Sequence, residues 1–229
     1  MYWGKPFPVA FAKGSLRSIT MKVTVDQVTR HRLVPVVVLD DAADAGPLAE
    51  ALVRGGLPIA EVTFRTPAAL RAIAAMAERG DLLVGAGTVL TPAQVDQAVD
   101  AGASFVVSPG TSRAVVERCL ELGVPAIAGA VTATEIQAAL ELGLTTLKFF
   151  PASTSGGAAA ISSLAAPFGL VRFIPTGGVG PDNIGEYLRL PCVAAVGGSW
   201  MVPRQLVAAR DIGSIAALVA DAVRLVNAR

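Results

Sequence analysis

The run Val34-Pro35-Val36-Val37-Val38-Leu39-Asp40-Asp41-Ala42-Ala43-Asp44 decides the fold. Residues 34–39 are apolar and rich in β-branched side chains, the composition of a strand buried on both faces. An open, doubly wound sheet usually follows its first strand with a glycine-rich turn that cradles a pyrophosphate. Here the turn is Asp40 to Asp44, acidic and without a glycine. The dinucleotide-binding reading therefore fails, and a closed α/β barrel is expected if enough strand-helix units follow.

Eight such units are legible. Strands are expected at 34–39, 59–63, 83–86, 105–107, 126–128, 146–149, 171–175 and 193–196. Helices rich in Ala, Leu and Glu are expected at 46–54, 68–79, 92–101, 113–122, 133–142, 158–165, 182–188 and 212–227. A short helix at 25–32 precedes the first strand. Gly55-Gly56, Gly80, Gly102, Gly123 and Gly143 stand where helix terminators belong, and Pro92 and Pro181 where first-turn prolines belong. Strands alternating with helices form right-handed parallel units. Eight of them predict a (β/α)8 barrel over residues 21–229, preceded by an extension at 1–20 that is dispensable or marks an upstream start.

Bulk composition narrows the partners. Hydrophobic residues make up 53% of the 229 and charged residues 16%, with a net charge of +1. Nothing in that balance points to nucleic acid or to an anionic membrane. The uncharged stretch 149–171 is broken by Pro151, Gly156, Gly157, Pro167 and Gly169, which argues against a lipid-facing helix. Cys119 and Cys192 lie far apart in apolar surroundings and read as free thiols of a reducing cytoplasm. One histidine, His31, leaves little from which to build a metal site or a histidine-based triad, so no metal and no cofactor is expected.

In a barrel, chemistry sits at the C-terminal ends of the strands. The sixth strand carries Lys148 between Leu147 and Phe149, and it is the one lysine beyond Lys5, Lys13 and Lys22. Lysine is almost never fully buried unless paired. Desolvation there would disfavour the charged form and leave part of the population as a nucleophilic amine, as Schiff-base chemistry requires. The plainer alternative is a lysine that snorkels to solvent at the strand end. Glu61, in the second strand, needs a partner or a proton. Either Arg65 closes a salt bridge with it, or it works beside Lys148 as a proton shuttle. Arg65 suits a substrate carboxylate, which its fork can grip in bidentate fashion. Gly177-Gly178 and Gly197-Gly198, read as following strands seven and eight, point to a phosphate held by backbone N–H groups, with Ser199 adding a hydroxyl.

Five runs together resemble a known family: Glu61-Val62-Thr63-Phe64-Arg65-Thr66, Gly85-Ala86-Gly87-Thr88-Val89, Lys148-Phe149-Phe150-Pro151-Ala152, Pro175-Thr176-Gly177-Gly178 and Gly197-Gly198-Ser199-Trp200. They are similar to the 2-keto-3-deoxy-6-phosphogluconate (KDPG) aldolases, class I enzymes that also cleave 4-hydroxy-2-oxoglutarate (KHG). The resemblance implies a Schiff base at Lys148 and acid/base work by Glu61. It assigns the substrate carboxylate to Arg65 and Thr88, and the pocket walls to Pro109 and Phe150. Gly177, Gly178, Gly198 and Ser199 would take up the phosphate end. Thr176 falls at a position tied to stereochemical preference, where threonine resembles the gluconate branch and valine the galactonate branch. A cytoplasmic homotrimer acting on a phosphorylated keto acid is implied as well. Ser153 departs from the family's usual glutamate, and residues 1–20 have no counterpart. Rival readings are the galactonate-branch aldolase, another phosphate-binding epimerase or synthase, a metal-dependent aldolase, for which one histidine leaves few ligands, and a catalytically silent scaffold.

Overall fold

A computed structural model of the chain describes residues 23–228. The expected extension at 1–20 lies outside the described residues. From Val23 onward the chain alternates strand and helix: α1 (Val25–Thr29), β1 (Leu33–Val37), α2 (Ala45–Arg54), β2 (Ile59–Thr63), α3 (Ala69–Ala77), β3 (Leu83–Gly87), α4 (Pro92–Asp100) and β4 (Phe105–Val107). It continues with α5 (Arg113–Glu121), β5 (Ala126–Ile127), α6 (Ala133–Glu141), β6 (Thr146–Phe149), α7 (Gly157–Ala165), β7 (Arg172–Pro175), α8 (Ile184–Leu188), β8 (Val196–Gly198), α9 (Arg204–Ala208) and α10 (Ile212–Asn227).

Local chemistry sets the helix ends. Thr24, Thr91 and Thr132 each accept a hydrogen bond from a first-turn backbone N–H, and Pro92 opens α4. Glu135 completes a capping box with Thr132, and Gln27 does so with Thr24. The expected terminators Gly56, Gly80, Gly102, Gly123 and Gly143 all take positive φ, as residues just past a helix often do.

Every strand pair is parallel. One curled sheet runs β5-β4-β3-β2-β1-β8, and a second pairs β6 with β7. The continuous ladder therefore spans six strands rather than the expected eight. The two sheets touch through isolated bridges, Gly129 with Lys148 on one side and Phe173 with Val193 and Thr176 with Gly197 on the other. Single bridges replace full ladders there because β5 is only two residues long and the chain before β8 pairs intermittently. Strand eight was expected at 193–196, but it forms at Val196–Gly198, where Leu33, Val34 and Pro35 of β1 supply its partners. Glycine has poor strand propensity, and here the pairing overrides it.

Inside the curl, Val28, Val34, Phe105, Val107, Ile127 and Ile174 surround Glu61, Lys148 and Thr176. Val28 comes from α1, so this short helix contributes a side chain to the interior. Outside, Phe149 and Phe173 meet edge to face at 6.1 Å and join the sheet to its helical layer. Alternation along β6 thus sends Leu147 and Phe149 to one side and Lys148 to the other.

Candidate active site

Lys148 and Glu61 face each other across the interior. Lys148 Nζ donates to Glu61 Oε1 at 2.9 Å, with only 8% and 4% of the two side chains exposed. A lone buried charge of either sign would be costly, and the partner relieves it. Two of the open alternatives close here. Lys148 does not snorkel outward, and Glu61 pairs with it rather than with Arg65. Arg65 is exposed just past β2 and forms no ion pair among the described residues.

Glu61 fits because of what β3 lacks. In register, Glu61 opposes Gly85 and Thr63 opposes Gly87. A Cβ on Gly87 would fall on the Glu61 carboxylate, and one on Gly85 would enter the Phe105 ring. These glycines are the space into which the acid and the aromatic pack. Next in line, Thr88 holds φ at 57°, in the left-handed region that β-branched residues avoid. Pro109 is half-buried beyond β4, and its carbonyl comes so close to Gly129 that no side chain fits between. The Phe150 ring lies 5.4 Å from Lys148 Nζ and forms one wall beside the amine. Thr176 is buried and lines the same cavity, its hydroxyl donating to Ile174 O at 3.3 Å.

The glycine loops differ from each other. Gly177 and Gly178 follow β7 with φ of 91° and 74°, leaving Gly178 exposed. The Ser153 side chain packs where a Gly178 Cβ would be, and Ser153 N–H donates to Gly177 O at 3.0 Å. Gly197 and Gly198, expected beyond a strand, are instead buried within β8; only Ser199 lies past its end, exposed. Pairing with β1 explains the difference. Asn183 was missed in the sequence. Its Nδ2 donates to Gly178 O at 2.8 Å while its Oδ1 accepts from Gly180 N at 2.9 Å, bracketing the loop. An Asn shortly after a Gly-Gly turn was the available signal, since its amide readily satisfies local backbone groups.

Among the described residues no group of three or more His, Cys, Asp or Glu could hold a metal. Cys119 is fully buried in α5, and burial pushes its thiol up to about 12, which makes it inert. Burial also lowers His31 below the usual histidine range, with Arg30 adding to the shift.

A parallel α/β fold with a buried amine-carboxylate pair on its inner strands is an arrangement suited to an enzyme. The model of the family described as KDPG and KHG aldolase matches residues 25–218. A 2-dehydro-3-deoxy-phosphogluconate aldolase of Treponema pallidum is 51% identical over 203 residues, 88% of this chain and 97% of the relative. A KDPG aldolase from Legionella pneumophila, solved with pyruvate captured at low pH as a covalent carbinolamine intermediate, superposes with a TM-score of 0.85 at 39% identity. That match covers 87% of this chain and 98% of the other. The aldolase of Zymomonas mobilis solved with 3-phosphoglycerate gives a TM-score of 0.82 at 43% identity, over 91% and 96% of the two chains. The chain belongs to the KDPG and KHG aldolase family, whose members are lyases.

Proposed function

We infer that the chain is a class I aldolase that cleaves KDPG to pyruvate and glyceraldehyde 3-phosphate, and KHG to pyruvate and glyoxylate. The observation that carries this is the buried hydrogen bond from Lys148 to Glu61 at 2.9 Å. Proton transfer along it yields a neutral amine beside a carboxylic acid, the two groups that Schiff-base formation needs.

Lys148 Nζ attacks the 2-keto carbon to give a carbinolamine. Glu61 protonates its hydroxyl, water leaves, and the protonated imine forms. The Glu61 carboxylate then takes the 4-hydroxyl proton. As the C3–C4 bond breaks, its electron pair moves toward the imine, the aldehyde departs, and an enamine of pyruvate remains. Protonation at C3 and hydrolysis return the free amine. Arg65 and Thr88 hold the substrate carboxylate, and Pro109, Phe150 and Thr176 shape the pocket. Gly177, Gly178, Gly198 and Ser199 receive the phosphate; the positive φ of Gly177 and Gly178 and the exposure of Gly178 and Ser199 support this.

The same reading takes the eight strands as one closed (β/α)8 barrel, with residues 21–229 as a single domain; the bridges on both sides of the β6-β7 pair support it. It also takes the enzyme to be a cytoplasmic homotrimer. No described helix is long and apolar enough to cross a membrane. Light scattering of the purified full chain reads the subunit number directly.

The chemistry is tested by borohydride reduction in the presence of pyruvate. The expected result is one reduced pyruvate adduct per chain, located at Lys148 by peptide mass and missing from Lys148→Ala. A chain that stays unmodified under those conditions is not a class I aldolase.

A further inference from the structure

The N-terminal end of the strands, opposite the end where the substrate loops emerge, carries a pocket that the aldol chemistry does not use. It has a volume of about 400 Å³, inside the range typical of small-molecule sites. Arg32, Arg172 and Arg189 line it, with Asp26 and Thr29 of α1 and Thr146 at the start of β6. Arg32 precedes β1, Arg172 opens β7 in register with Thr146, and Arg189 caps α8. Three different parts of the fold thus place arginines around one concavity.

Positive charge is in excess there. None of the three arginines forms an ion pair among the described residues, whereas Arg79, Arg118, Arg204, Arg210 and Arg224 all do. Asp26 supplies one negative charge against three positive ones. The preceding chain cannot balance the rest, because residues 1–22 include Lys5, Lys13, Arg17 and Lys22 and no Asp or Glu. Ala228, the last described residue, lines a separate pocket beside Pro181 and Trp200. Arg32 is also held in place, donating from Nη2 to Leu188 O at 3.1 Å, so one guanidinium is oriented in advance. Converging like charges repel one another, and a multivalent oxyanion reverses the sign of that interaction. Guanidinium forks match phosphate oxygens in bidentate geometry.

We propose that this pocket is a second anion site, built for a small multivalent phosphate and separate from the substrate phosphate loops. Its ligand bears at least two phosphate charges and sits among Arg32, Arg172 and Arg189, with the Thr146 hydroxyl available as a further donor; the Thr29 hydroxyl already donates to Val25 O at 3.1 Å.

Inorganic pyrophosphate is the probe, titrated calorimetrically into the full chain at low ionic strength. Arg172 and Arg189 are exposed, so the Arg172→Ala/Arg189→Ala double variant is expected to fold and to keep wild-type cleavage kinetics. The expected result is pyrophosphate binding that weakens at least ten-fold in the double variant and falls with added salt. Without ligand, the variant's melting temperature at low salt should match or exceed that of the wild type, because repulsion has been removed. Pyrophosphate should raise the melting temperature of the wild type more than that of the variant. Identical isotherms for the two proteins would place all bound anion at the substrate loops and overturn the proposal. So would binding of citrate in preference to pyrophosphate, or no binding at millimolar concentration. A chain that failed to trap pyruvate at Lys148 would leave the calorimetric result fully interpretable.

Discussion

At the scale of single residues, the site rests on two groups that would each be intolerable alone. Lys148 was legible because it is the one lysine in the strand-helix region and sits inside an apolar run. Glu61 was legible for the same reason of sign and setting. Gly87 was quoted only as part of a motif, and its physical purpose depends on register: it opposes Thr63 and leaves room for the Glu61 carboxylate from the neighbouring strand. No local pattern contains that requirement. Glu61→Gln keeps the shape and a hydrogen-bond acceptor but cannot carry a proton, so turnover should fall by a factor on the order of 10² to 10⁴ with the fold intact. Steady-state rates beside an unchanged circular dichroism spectrum check this. Gly87→Ala should lose activity by a different route, because the added methyl displaces the carboxylate itself. Its melting temperature should fall as well, since overpacking a dense interior typically costs about 1–3 kcal/mol. A Gly87→Ala protein with wild-type turnover would mean that Glu61 has slack the packing denies it.

Elements were legible wherever their ends are set by neighbouring residues. Thr91-Pro92, Thr132 with Glu135, and the glycines after α2 to α6 are local signals, and α4, α6 and α10 begin where they were expected. Strand β8 moved because its identity comes from β1, more than 150 residues away in sequence. The five-residue α9, opened by Pro203, was too short for a periodic pattern to reveal. The loop after β7 combines both cases: its glycine pair is visible in sequence, while the contacts that hold it are not. Asn183 ties Gly178 O to Gly180 N, and Ser153 presses on Gly178 from the other side. If this loop receives the phosphate, Asn183 is a positioning residue with a selective signature. Asn183→Ala should raise KM for KDPG several-fold and leave KM for KHG, which has no phosphate, unchanged, with kcat on both largely retained. Equal damage to both substrates would assign Asn183 to general loop stability.

Stability belongs to the molecule as a whole, and one buried thiol contributes to its loss at alkaline pH. Cys119 lies in α5 with no exposed surface, and burial raises its titration from about 9 in a solvated thiol to about 12. The folded protein therefore keeps the Cys119 proton where the unfolded chain has given it up. A group raised in this way lends its full support below pH 9, and that support is lost as pH climbs from about 9 toward 12. Within the window the slope approaches one proton, about 1.4 kcal/mol of unfolding free energy per pH unit. Burial raises the Cys192 thiol and the Tyr187 hydroxyl as well, and lysines also titrate there, so a pH scan of the wild type alone is ambiguous. Cys119→Ala separates the two, because it removes the thiol and leaves every other group in place. The variant starts less stable at pH 7, having lost a buried sulfur from a packed core. Its urea midpoint should then decline more slowly than that of the wild type between pH 8.5 and 10.5, and the two curves should converge. Parallel curves would mean that unfolding does not expose Cys119 to ionisation, and that α5 stays packed in the denatured ensemble.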